Sequence, residues 1–88
     1  MKRNTNLKYK VGDRVIYQSD AYSGNSDLDG MAGKIIGVDG SALPYTVEFD
    51  DSYIDAIYDE RFGGKLGHCW HCTESHLTLE AEKLKLPS

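Results

Sequence analysis

The chain has 88 residues, 40% of them apolar, which suits one globular domain and excludes both a disordered chain and a second sizeable core. Its net charge of −4 conceals a segregation: residues 1–14 hold five bases (Lys2, Arg3, Lys8, Lys10, Arg14) against Asp13, whereas residues 15–60 hold ten acids against Lys34. A net of −9 over that middle stretch presents a negative face that repels DNA and RNA, leaving phosphate contacts to the short basic N-terminus.

Residues 1–9 are polar, basic and without periodicity, and are expected to form a flexible arm. They lack the apolar stretch of a secretory signal, and no run approaches the roughly 20 apolar residues of a membrane span. A cytoplasmic protein without membrane contacts is the expectation. From Lys10 to Tyr17, Val11, Asp13, Val15 and Tyr17 alternate with Gly12, Arg14 and Ile16, a half-buried strand entered through a turn at Val-Gly-Asp. Ser19 to Gly33 is rich in Gly, Ser, Asp and Asn and marks a long loop, with Leu28 and Met31 returning to the core. Gly33 to Val38 is a second strand, and Asp39-Gly40 a tight turn signal. In the third strand Tyr45, Val47 and Phe49 share one face and Thr46, Glu48 and Asp50 the other.

Asp51 to Gly67 contains Tyr53, Ile54, Ile57 and Tyr58 at the spacing of a short helical turn, ended by Gly63-Gly64. Gly67-His-Cys-Trp-His-Cys then forms a strand with His68, Trp70 and Cys72 on one face. Thr73 to His76 is a tight helical turn, Leu77-Thr-Leu a last strand, and residues 81–88 a tail in which Leu84 and Leu86 also fit a short helix. Five short strands separated by turn signals indicate a small barrel or sandwich.

The order Val11-Gly-Asp-Arg-Val, Gly30-Met-Ala-Gly-Lys-Ile-Ile and Pro44-Tyr-Thr-Val-Glu-Phe-Asp-Asp resembles the SH3-like barrels, including the KOW type. The closing Gly67-His-Cys-Trp-His-Cys and Leu77-Thr-Leu is similar to small barrel proteins encoded by bacteriophages and their hosts, where a Gly-His-x-Trp strand leads through one turn into Leu-x-Leu. The resemblance covers residues 10–80. It implies an all-β, five-stranded SH3-like small barrel, here with a long first loop and an acidic insertion before the fourth strand. It leaves function open, because such barrels bind RNA, DNA, peptides and protein surfaces alike. The acidic middle and the insertion at 51–62 depart from the pattern and weaken a nucleic-acid role.

Three constellations invite chemistry. Cys69 and Cys72 have zinc-knuckle spacing, and a Cys2His2 site would add His76 and either His68 or His71. On a strand, however, the two cysteines face opposite sides, and the resemblance requires neither. A redox dithiol would need a strand-to-helix context that the sequence lacks. His68, His71 or His76 beside Ser75 or Glu74 would be the material of a hydrolase, but a barrel of this size leaves little interior for a substrate, and structural histidines are expected. No Asp-x-Asp-x-Asp-Gly calcium loop occurs among Glu48, Asp50, Asp51, Asp55, Asp59 and Glu60.

The aromatic residues point elsewhere. Tyr17, Tyr45 and Phe49 belong to the core, whereas Tyr22, Tyr53 and Tyr58 fall in loops among acids. Tyrosine is enriched at interfaces, and loops on a rigid scaffold carry binding residues. The expected function is therefore that of a small, non-catalytic, phage-encoded binding protein without a cofactor. Its surface of Tyr22, Asp51, Tyr53, Asp55, Tyr58, Asp59, Glu60 and Trp70 would dock onto a basic host or phage protein. In the stronger form the acids imitate nucleic acid and inhibit that protein. Two alternatives stay open: a nucleic-acid-binding module using Lys2, Arg3, Lys8 and Lys10, and a zinc-stabilised interaction module.

Overall fold

The computed structural model of the chain describes residues 7–52 and 62–85. Alternation sets the first strand, β1 (Arg14–Tyr17), in which Val15 and Tyr17 are buried. Val11, expected on the same face, is 59% exposed. The strand cannot begin there because residues 10–13 form a turn. The Asp13 amide donates to the Lys10 carbonyl at 3.0 Å, and the Asp13 carboxylate accepts from the Lys10 amide at 3.0 Å.

Strand β2 (Ala32–Val38) pairs antiparallel with β1, and β3 (Tyr45–Phe49) pairs antiparallel with β2, with a register slip between Ile35 and Gly37. The β2–β3 connection is not the two-residue turn expected at Asp39-Gly40. It runs to Pro44, closed by the Asp39 amide on the Pro44 carbonyl at 2.8 Å. The Asp39 carboxylate organises it, accepting from the Ser41 amide at 2.9 Å and hydroxyl at 2.7 Å. Strand β4 (Cys69–Cys72) adds to β3, a 3-10 turn spans Glu74–His76, and β5 (Leu77–Leu79) returns to pair antiparallel with β1. Helix α1 (Glu80–Lys85) occupies the start of the expected tail. The result is one five-stranded antiparallel sheet in the order β4-β3-β2-β1-β5, an all-β fold with little helix.

The core lies on one face of this sheet: Val15, Tyr17, Ile35, Tyr45, Val47, Phe49, Cys72 and Leu77, joined by Leu28 from the long loop. Leu28 thus behaves as its apolar character within a polar loop predicts. Tyr9, placed in the arm from the sequence, is also part of the core, at 3% exposure. Its hydroxyl donates to the Leu77 carbonyl at 2.9 Å and its ring meets Tyr45 edge-on at 5.6 Å. The segment entering β1 is therefore fastened across the core at residue 9.

The other face of the sheet is covered in part, around Thr46 and Gly37. Thr46, opposite Gly37 on β2 and His71 on β4, is 1% exposed. The ring of Phe62 lies flat on Gly37, so closely that a Cβ there would run into it. The Lys65 amide donates to the Glu48 carboxylate at 2.8 Å. Both contacts fasten the chain leaving the acidic insertion onto the outer face of β2 and β3. The helical turn expected from Tyr53, Ile54, Ile57 and Tyr58 lies outside the described residues.

Candidate functional site

The long loop between β1 and β2 is held by its own polar side chains. Asp20 accepts from the amides of Tyr22 and Ser23 at 2.8 and 2.7 Å. Asp29 accepts from the Ser19 amide at 2.7 Å and hydroxyl at 3.1 Å. Asn25 caps a 3-10 turn, Ser26–Leu28, by accepting from the Asp27 amide at 3.0 Å, and its own amide donates to the Tyr17 hydroxyl at 2.9 Å. Gly24, at φ +97°, passes so close over Tyr17 that an added Cβ would sit 2.8 Å from the hydroxyl. The amides of Tyr22 and Ser23 hold the Asp20 carboxyl below the usual carboxylate range.

This loop forms one wall of a cleft of about 610 Å³. The β2–β3 loop contributes Ala42 and Leu43 to its lining, and Tyr17, Trp70, Thr73 and His76 also line it. Trp70 is half-buried against the core, and Leu43 is 47% exposed. The cleft therefore offers an aromatic and aliphatic patch beside the polar side chains of Ser23, Asn25 and Ser26.

His76 ties the long loop to the 3-10 turn. The ring is buried; its Nε2 lies 3.0 Å from the Ser23 hydroxyl and 3.3 Å from an Asp20 oxygen. The Ser23 hydroxyl also reaches both Asp20 oxygens at 3.1 Å. A Ser-His-Asp relay places serine and carboxylate on opposite ring nitrogens, so that the carboxylate orients the ring. Here both sit on Nε2, where the carboxylate competes with the serine for one nitrogen. Ser75 and Glu74, the partners suggested by the sequence, are exposed. Nothing local in the sequence announces Ser23 and Asp20, more than fifty residues from His76 in the chain.

The zinc set is not assembled. Tyr45 faces Cys72 and Glu48 faces Cys69 across β3–β4, which puts the two thiols on opposite faces of the sheet. Cys69 donates to the Lys65 carbonyl at 3.6 Å and Cys72 to the Trp70 carbonyl at 3.6 Å. His68 Nδ1 lies on the Phe49 carbonyl at 2.8 Å and His76 faces Ser23. Among the described residues no three metal-ligating side chains cluster. Burial pushes the Cys72 thiol up, the reverse of what a reactive dithiol requires.

Of the expected docking residues, Tyr22 is 97% exposed, Asp51 is exposed and Trp70 faces the cleft. Tyr53, Asp55, Tyr58, Asp59 and Glu60 lie outside the described residues. Glu48 and Asp50, expected on a solvated acidic face, are engaged, Glu48 by the Lys65 amide and Asp50 by Arg14 at 2.6 Å. Of the basic residues, Lys2 and Arg3 lie outside the described residues, Lys10 pairs with Asp13 at 3.2 Å, and Lys8 stands 5.5 Å from the centre of the Tyr9 ring.

Comparison with known proteins finds no matching family model, no similar curated protein and no similar solved structure. No helix among the described residues is long and apolar enough to cross a membrane.

Proposed function

We propose that this chain is an SH3-like barrel that acts as a small, non-catalytic binding protein, docking an acidic, tyrosine-bearing loop surface onto a basic protein partner. The barrel reading is supported by the four-strand meander, the single 3-10 turn from β4 into β5, and the return of β5 to β1. The observation that carries the docking reading is the long loop. Its carboxylates are pinned by amides and hydroxyls, which fix their position without cancelling their charge, beside a fully exposed Tyr22. A preorganised negative surface with an aromatic anchor favours a basic partner, raises its association rate and rejects acidic competitors. In the stronger form of this reading the chain is phage-encoded, works in the host cytoplasm, and inhibits a nucleic-acid-handling protein by occupying its phosphate-binding surface.

Affinity capture from host lysate, repeated over a salt series, tests this. Replacing Asp29, Asp51, Asp55 and Asp59 with Asn and Glu60 with Gln should weaken capture and flatten its salt dependence. Capture that survives unchanged in that variant refutes the reading.

A further inference from the structure

We infer that the cleft between the long loop and the Asp39–Pro44 loop receives an extended segment of the partner that carries basic residues beside an apolar one. This rests on the docking reading above and assigns it a place.

The cleft is open between two loops, not a closed chamber, and its lining mixes two kinds of side chain. Trp70, Ala42 and Leu43 offer apolar contact for a side chain, with Leu43 already 47% exposed. Ser26 and Thr73 bring hydroxyl side chains, which donate and accept, as an extended peptide backbone requires. The Thr73 hydroxyl makes no cap bond to the 3-10 turn that it precedes. Ser23 and His76, both part of the lining, hold Asp20, whose side chain remains 50% exposed. Its carboxylate is ionised, fixed in place and open to solvent, the arrangement that selects a Lys or Arg. Negative charge next to the cleft disfavours a nucleic-acid strand, although Trp70 alone would suit base stacking.

Trp70 is the sole tryptophan and reports on the cleft by its own emission. The intact protein is titrated at low salt with a short synthetic peptide of alternating leucine and arginine, with the same peptide carrying glutamate for arginine, and with a thymidine oligonucleotide. The expected result is a saturable change with the arginine peptide and binding more than about tenfold weaker for the glutamate peptide. Asp20→Asn should weaken the arginine peptide by up to about fivefold, the size of one exposed ion pair, and flatten its salt dependence. Leu43→Ala, a change at an exposed position, should weaken it without altering the melting temperature.

No saturable response to the arginine peptide, an equal response to the glutamate peptide, or saturation by the oligonucleotide overturns the assignment. The two proposals fail separately. Lysate capture that is lost on neutralising Asp29, Asp51, Asp55, Asp59 and Glu60 but indifferent to Asp20→Asn and Leu43→Ala removes the cleft and leaves the docking surface. The converse removes the surface and leaves a peptide-binding cleft.

Discussion

Two groups of carboxylates in this molecule are held in opposite ways. At the junction of β1, β3 and α1, the Arg14 guanidinium grips Asp50 through two bonds of 2.8 and 2.6 Å and takes Glu80 through Nε at 3.1 Å. In the long loop, Asp20 and Asp29 are held by amides and serine hydroxyls. Both arrangements draw a carboxyl below its usual range, Asp50 by its guanidinium bond and Asp20 by the amides of Tyr22 and Ser23. They differ in what remains outside. A guanidinium cancels charge, whereas an amide orients a carboxylate and leaves its charge in place. The first group joins strands, and the second presents a surface.

If the loop's order comes from its anchors and not from its charges, removing an anchor should have the largest effect. Leu28 has no exposed surface. Leu28→Ala should cost about 2–5 kcal/mol in chemical denaturation and detach the acidic wall. A small loss with loop amides still protected from exchange would show that polar contacts alone suffice. Next comes Gly24→Ala, which meets Tyr17 and Ser19 and forces an alanine to φ +97°. The expected loss is about 1–3 kcal/mol, with hydrogen exchange quickening at the Asn25 amide that bonds Tyr17.

The sheet was legible for a simple reason. Where one face is buried, period-2 alternation writes itself into the residues, as Val15 and Tyr17 or Tyr45, Val47 and Phe49 show. Leu28 was legible because an isolated leucine in a polar loop has little reason to stay in water. The errors arose where a local polar contact or a distant partner decided. The Lys10–Asp13 turn delayed β1, and the Asp39 carboxylate enlarged a hairpin that Asp-Gly alone would have kept tight. Tyr9 was missed because its partners, Tyr45 and Leu77, lie far along the chain. The cleft was visible only in part: Trp70 stood out as an aromatic, but the serines resemble those of any loop, and the His76–Ser23 contact has no sequence signature.

A smaller effect is expected at the Arg14 junction, whose groups are all partly exposed. Arg14→Ala should cost about 1 kcal/mol, and the difference from the parent should shrink in high salt. The sign with pH follows from the lowered Asp50 carboxyl. Its contribution is complete above the ordinary aspartate value of about 4 and fades as pH falls through the lowered folded value. The parent should therefore lose stability towards acid more steeply than Arg14→Ala does. Parallel acid limbs in the two proteins would mean that the guanidinium contributes nothing Asp50 does not find in water.

Asp20→Asn should change stability least of all. Asparagine keeps an oxygen that accepts from the amides of Tyr22 and Ser23, so the loop retains those bonds and loses the charge and one acceptor oxygen. The neutral-pH melting temperature should fall only slightly, because a carboxyl held below its usual range contributes stability while it is ionised. The difference should close as pH falls through the lowered Asp20 value, so the variant has the flatter acid limb. The comparison breaks if Asp20→Asn loosens the loop as Leu28→Ala does, with exchange quickening at Asn25. The contact to His76 at 3.3 Å would then be what holds the wall, and the carboxylate would have a structural task in place of a free one.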